Sequence, residues 1–311
     1  MWCYDGEQLR PNFTTTRMVD AIAEARQRYA EELRFTAGLR SHAIIHAFAT
    51  VPREGFFGPG PWRVLSPMAP GAYWTTEDAD PRHLYHDVLI AIDEDRRLNN
   101  GQPSLWARMY DQLQLREGAR VVHIGAGTGY YSAILAEIVG RAGQVTAIEI
   151  DPALAARASD NLAAWPQATA VAADGFTHLP DGPSDAIVVN AGVTHFSSVW
   201  LDSLAVANGR LLVPLTNTDW WGCFLMITRQ VGSPNRYFAR FAGRVGVIPC
   251  IGGRDPAAEE RLTAALARRD VTAIRSLRRA PDEPDDTCWL AGEGWWLSTA
   301  VAHDGTADRR A

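Results

Sequence analysis

The chain has 311 residues, 47% of them hydrophobic and 21% charged, a balance that excludes wholesale disorder and suits one large domain with appendages or two small ones. A net charge of -6 argues against a broad nucleic-acid footprint, because proteins that grip nucleic acid present a basic face. All 30 basic residues are arginine, so neither a lysine Schiff base nor a lysine-bearing phosphate loop is available.

Four cysteines, Cys3, Cys223, Cys250 and Cys288, lie far apart, and no CxxC pair occurs. This spacing supports neither a structural zinc site nor a disulfide framework. There is no charged-then-apolar opening segment and no run of 18 apolar residues. The expectation is a soluble, cytoplasmic protein with no membrane partner, no nucleic-acid partner and no metal.

Residues 1–84 read as an N-terminal helical and loop region. Helices are expected from Met18 to Gly38 and from Leu39 to Thr50, the second stopped by Val51-Pro52-Arg53 because a residue before proline avoids helical backbone. Residues 58–84 are rich in proline and glycine and hold Trp62, Tyr73 and Trp74. They predict a long loop that is either a lid or a packing cover.

Residues 85–250 alternate strand and helix. Strands are expected at 121–124, 144–150, 168–172, 185–190 and 210–215, with helices at Tyr130–Val139, after the capping residue Asp151, and at Val199–Ala207. Residues 222–229 and 237–247 read as a late strand pair. Repeated strand–helix units imply an α/β, Rossmann-like doubly wound sheet. Residues 251–311 form a C-terminal extension. In it, Pro256 to Arg279 predicts one or two helices and 281–286 an acidic linker. Cys288-Trp289-Leu290 and Trp295-Trp296-Leu297 form an aromatic packing patch, and the residues from His303 are expected to be disordered.

The chemistry centres on Gly125-Ala126-Gly127-Thr128-Gly129, between a strand and a helix. Glycines there permit a tight turn and close approach of a cofactor, and the helix N-terminus offers free N–H groups. Glu149 ends the next strand, 24 residues after Gly125, where a carboxylate accepts the hydroxyls of a ribose. The pattern fits a nicotinamide dinucleotide or S-adenosylmethionine, and the GxGxG form leans toward the latter. Asp174-Gly175 after the third strand reads as an adenine contact or, alone, as a plain turn.

The stretches VPREGFFGP (51–59), NNGQPSLWARM (99–109), VVHIGAGTGYYSAILAEIVG (121–140), VTAIEID (145–151), ADGFTHLPDGPSDAIVVNAG (173–192) and WLDSLAVANGRLLVPL (200–215) resemble the protein-L-isoaspartate O-methyltransferase family, as does the late strand pair ending near Pro249. The resemblance covers roughly residues 18–250. It implies a class I methyltransferase fold, S-adenosylmethionine as cofactor, and methyl transfer to a carboxylate of a polypeptide. By the same resemblance Gly125, Gly127, Gly129, Glu149, Asp174 and Gly175 are cofactor contacts, along with their neighbours Ala126, Thr128, Ile150 and Asn190.

Two departures from the family pattern stand out. Family members carry a hydroxyl residue two positions before the proline of Asn99-Asn100-Gly101-Gln102-Pro103, and here that position is Gly101. Asn99, Asn100, Gln102 and the loop backbone are candidate substitutes for holding a substrate carboxylate; the other reading is a simple turn. In the strand before the glycines, where methyltransferases place an acid near the cofactor's ammonium, this chain has His123. It is either a partner of the cofactor's amino-acid part or a histidine hydrogen-bonded at a strand end.

A carboxylate titrates near pH ~4, so it is already nucleophilic at neutral pH and needs no general base. About sixty C-terminal residues have no counterpart in the short repair enzymes, and extended relatives include methyltransferases of ribosomally made peptides whose aspartyl ester closes to a succinimide. The open alternatives are a general isoaspartate repair role, a dedicated peptide-modifying role, a small-molecule O-methyltransferase, an N-methyltransferase, and a non-catalytic module of the same fold. After the fourth strand the chain reads Asn190-Ala191-Gly192-Val193, without the proline and aromatic common in N-methyltransferases.

Overall fold

The computed structural model describes residues 13–69, 71–232 and 235–301; Cys3 and the tail from His303 fall outside them. The chain opens with α1 (Phe13–Thr36) and α2 (His42–Thr50). Val51 ends α2 in extended backbone (φ -70°, ψ 118°), as the following Pro52 demands.

Four short strands follow: β1 (Arg63–Leu65), β2 (Trp74–Thr75), β3 (Leu89–Asp93) and β4 (Leu98–Asn99). They form a small antiparallel sheet in the order β2-β1-β3-β4. The stretch 58–84, expected as loop, thus supplies two strands, and the expected boundary at residue 84 falls inside this sheet. At two and three residues, β2 and β1 are too short to show a period-two pattern in sequence.

After α3 (Pro103–Leu113) come β5 (Arg120–Ile124), α4 (Tyr130–Val139), β6 (Gln144–Glu149), α5 (Pro152–Asn161), β7 (Ala168–Ala172), β8 (Ala186–Val189), α6 (Ser198–Ser203) and β9 (Arg210–Thr216). The chain continues through β10 (Trp221–Arg229), β11 (Arg236–Gly246), α7 (Pro256–Arg268), β12 (Ser276–Arg279), β13 (Cys288–Gly292) and β14 (Trp295–Ser298). One ten-stranded sheet results, ordered β7-β6-β5-β8-β9-β10-β11-β12-β14-β13. Strands β5 to β9 run parallel and the rest antiparallel.

Side chains alternate between two cores. Val121 and Val145 face the helices of the N-terminal half, with Phe48, Trp106 and Ile134. Val122, Ile124 and Ile148 face the opposite side, with Trp200, Leu262 and Trp289. Both faces are covered, so the central strands read as continuous apolar runs. The chain leaves β5 toward β6 and β7 and later returns to β8 on the other flank of β5. That reversal opens a crevice at the C-terminal ends of the strands.

The extension is part of this sheet. Pro256 to Arg279, expected as one or two helices, holds α7 to Arg268 and a short 3-10 helix at Val271–Ala273, but its end, residues 276–279, is β12, which pairs with β11 through Arg236↔Arg278, Tyr237↔Leu277 and Phe238↔Ser276. The open edge of β11 supplies hydrogen-bond partners that override the local helix propensity. The two aromatic segments are the hairpin β13–β14, whose Trp289, Trp295 and Trp296 are buried. Helix α6 stops at Ser203, short of the expected Ala207, because Leu204 turns extended and bridges to Ser184. None of the helices among the described residues is long and apolar enough to cross a membrane.

Candidate active site

The glycine loop turns out of β5 on positive φ angles at Gly125 (77°) and Gly127 (56°). A Cβ on Gly125 would lie 3.0 Å from the Asn190 carbonyl oxygen, so a side chain there is strained on two counts. Asn190 itself is fixed by its N–H donating to the Ile124 carbonyl at 2.8 Å. The Thr128 carbonyl accepts from Asn161 Nδ2 at 2.8 Å, tying the loop to α5.

Glu149 reaches back to this loop. Its Oε2 accepts the Gly127 N–H at 2.7 Å and its Oε1 accepts the Asp151 N–H at 3.1 Å. Asp151 caps α5 by accepting from the Ala153 and Leu154 N–H groups. Its carboxylate also pairs with Arg96 at 2.7 Å, and that guanidinium together with the cap holds its pKa below the usual range. On the opposite wall, Asp174 Oδ1 accepts the Phe176 N–H at 2.9 Å. Gly175 is packed so closely that a Cβ would come 2.6 Å from Ile124.

The 99–102 loop is held from beneath by Arg53. This fully buried guanidinium donates to the carbonyls of Leu84, His86 and Val88 and lies over the rings of Tyr29, Phe57 and Tyr130. It thereby fixes Asp87, whose carboxylate accepts from the Ser104 N–H at the start of α3, from the Ser104 hydroxyl and from Gln102 Nε2. Asp87 caps α3 from outside the helix, since the N-cap residue Gln102 makes no side-chain cap itself. Asn99 Oδ1 accepts the Gly101 N–H, and Asn100 Oδ1 accepts the Ile90 N–H. Asn99 belongs to β4 rather than to a simple turn. Gly101 has a φ of 76°, and a Cβ on it would lie 2.6 Å from Trp106 Nε1.

These walls enclose a cavity of about 610 Å³. The structure brings Asn99, Asn100, Gly101, Gln102, Gly125, Ala126, Gly127, Thr128, Glu149, Ile150, Asp174, Gly175 and Asn190 to it. Two sequence candidates lie elsewhere. Gly129 does not line the cavity; a Cβ on it would press on Leu162 and Ala158, so its smallness serves the packing of α5. His123 is fully buried on the α4 side of the sheet and hydrogen-bonds Ser132 Oγ at 2.8 Å. Burial drives its imidazole down to about 3, which makes it a neutral core histidine. Strand alternation sends Ile124 into the cavity and His123 away from it.

Several lining residues escaped sequence reasoning: Trp106, Arg96, Trp220, Trp221, Arg244 and Cys250. Trp220 and Trp221 sit where the chain turns from β9 into β10, at the same sheet end as the glycine loop; that position was a readable signal. Arg97 stacks on Trp220 at 5.8 Å, so the β3–β4 turn meets the β9–β10 turn beside the cavity. Burial pushes the Cys250 thiol up to about 11, which keeps it protonated and a poor nucleophile at neutral pH.

A glycine turn, a strand-end carboxylate and a second Asp-Gly corner stand around one cavity. It offers a cradle that side chains would fill and a carboxylate facing it, which fits S-adenosylmethionine.

The comparisons with known proteins agree. The model of the family described as protein-L-isoaspartate(D-aspartate) O-methyltransferase matches residues 72–231. The chain is 36% identical over 198 residues to protein-L-isoaspartate O-methyltransferase 1 of Rhodopseudomonas palustris, covering 63% of this chain and 71% of that protein. It is 31% identical over 242 residues to the protein-L-isoaspartate O-methyltransferase of Methylorubrum extorquens, covering 77% and 94%. Among solved structures, a protein-L-isoaspartate O-methyltransferase matches with a TM-score of 0.61 at 24% identity, covering 73% of this chain and 66% of that one. A putative one from Plasmodium falciparum, in complex with S-adenosyl-L-homocysteine, matches with a TM-score of 0.56 at 16% identity, covering 73% and 98%. The chain belongs to the protein-L-isoaspartate(D-aspartate) O-methyltransferase family, whose homologues are S-adenosylmethionine-dependent protein carboxyl methyltransferases.

Proposed function

We propose that this protein methylates an aspartyl or isoaspartyl side-chain carboxylate of a polypeptide, and that its substrate is one constrained, ribosomally made peptide in which the ester closes to a succinimide. The observation that carries the reading is the single cavity joining the glycine loop and Glu149 to the 99–102 loop, where Asn100 is buried with an Nδ2 that has no acceptor. Glu149, Asp174 and the glycine loop would hold the cofactor, and Ile150 would flank it. When bound there, S-adenosylmethionine supplies a sulfonium methyl to a carboxylate oxygen, the O–C bond forming as the C–S bond breaks and its electron pair stays on sulfur.

The protein's part is positioning and exclusion of water. The carboxylate arrives ionised, so no proton has to move, and the neutral His123 and protonated Cys250 have no part in activating it. Holding two reactants in line supplies about 7–11 kcal/mol. The ester is a better electrophile than the carboxylate; a neighbouring backbone amide nitrogen attacks its carbonyl, and methanol leaves as the succinimide closes.

Support for a dedicated peptide comes from Gly101, where the family pattern has a hydroxyl residue, and from the extension 251–311. Support for general isoaspartate repair comes from the named relatives. Labelled methyl transfer to isoaspartyl and aspartyl peptides, each linear and cyclised, with mass analysis for succinimide, separates the two. The expected result is transfer to the cyclised aspartyl peptide. Transfer to linear isoaspartyl peptide alone would mean repair, and transfer to none would reject carboxyl methylation.

A further inference from the structure

Trp106 is 1% exposed and lines the cavity beside the 99–102 loop, with its indole nitrogen against Gly101. Asn100 is 6% exposed, and its Nδ2 lacks an acceptor. A buried donor without a partner, Asn100 Nδ2, on the wall of a cavity is uncommon in a folded protein and points to a ligand atom that satisfies it; the Trp106 indole N–H lines the same cavity.

Three neighbouring acceptors are already engaged. The Gly101 carbonyl accepts from Tyr131 Oη at 3.1 Å, Asn99 Oδ1 from the Gly101 N–H at 2.9 Å, and Asn100 Oδ1 from the Ile90 N–H at 2.7 Å. What Trp106 and Asn100 present is therefore donors, and an ionised carboxylate, which only accepts, is their chemical complement.

The indole is also rigid. Its ring packs at 5.8 Å from Tyr110, 5.8 Å from Tyr131 and 5.5 Å from Phe224. Its nitrogen stands 2.6 Å from where a Cβ on Gly101 would be, so the space a side chain at 101 would take is filled by an N–H delivered from α3. A preorganised donor needs no rearrangement when the substrate binds.

We propose that the Trp106 indole N–H, together with Asn100 Nδ2, grips the substrate carboxylate and aims its free oxygen at the transferable methyl. This rests on the carboxyl-methylation reading above. It assigns Trp106 a substrate-binding role and explains why position 101 carries no side chain.

The test uses Trp106→Phe, which keeps an aromatic ring and removes the N–H, and Asn100→Asp, which keeps the acceptor for Ile90 and removes the donor. Three quantities are measured: kcat/KM for the peptide the wild type methylates, inhibition by the same peptide with an amide in place of the reacting acid, and affinity for S-adenosylhomocysteine. In each variant kcat/KM is expected to fall about tenfold or more, with a matching loss of the preference for acid over amide and cofactor affinity within about twofold. Acid and amide peptides weakened equally, or cofactor affinity lost in step with turnover, would make Trp106 a packing residue and overturn the proposal. Wild-type protein that methylates none of the linear or cyclised peptides would overturn the parent reading and this one together, whereas wild-type turnover with an unchanged acid preference in both variants overturns this one alone.

Discussion

The carboxylate of Glu149 is shared between two strand ends: Oε2 accepts the Gly127 N–H at 2.7 Å, and Oε1 accepts the Asp151 N–H at 3.1 Å. One side chain thus sets the spacing of the glycine loop and the start of α5, two elements that flank the cavity. A carboxylate in this place accepts two N–H groups and still has lone pairs for hydroxyls of a nucleoside.

Glu149→Gln replaces one acceptor oxygen with a donor that opposes a backbone N–H. Hydrogen bonds to a charged group are worth about 1.5–3 kcal/mol, so the affinity for S-adenosylhomocysteine should fall by about 10- to 100-fold. Titration calorimetry reads this directly. Unchanged affinity would remove Glu149 from the cofactor contacts.

His123 ties stability to pH. Its folded-state value of about 3 lies below the ordinary 6.5, so between those values the unfolded chain binds a proton that the folded chain refuses. The stabilisation is complete above pH 6.5 and is lost as pH falls, by up to about 1.4 kcal/mol per pH unit. Between pH 7 and pH 5 this one group should cost about 2 kcal/mol. Urea denaturation of the wild type and of His123→Leu combined with Ser132→Ala checks it, because the double variant should lose less stability over that range. Parallel pH profiles would mean that water or local opening reaches His123.

The extension should not be detachable. Trp295 stands edge-on to Phe196 at 4.6 Å between ring centroids, in a buried cluster that includes Trp289 and Leu297. Trp295→Ala should cost about 3–5 kcal/mol in urea denaturation. Deleting residues 276–311 strips β12 from β11 and uncovers that edge, so aggregation is expected in sedimentation. A soluble monomer that still binds S-adenosylhomocysteine would make the extension an independent module.

Much of this was legible in the linear order of residues. The glycine turn, Glu149 24 residues later and Asp174-Gly175 announce a doubly wound nucleoside-binding sheet, because local backbone demands and strand–helix alternation are written in neighbouring residues. The tertiary structure decided what depends on distant partners. Strand β12 exists because β11 offers an edge, whatever helix propensity its own residues carry. Histidine 123 and Ile124 are adjacent in sequence, yet the pleat of β5 sends one into the core and the other to the cavity. The surroundings of Gly101 are likewise visible only in space: in sequence it reads as a missing hydroxyl, and the fold places the Trp106 indole nitrogen 2.6 Å from where a Cβ on it would be, because which atoms share that volume depends on a residue one helical turn away in α3.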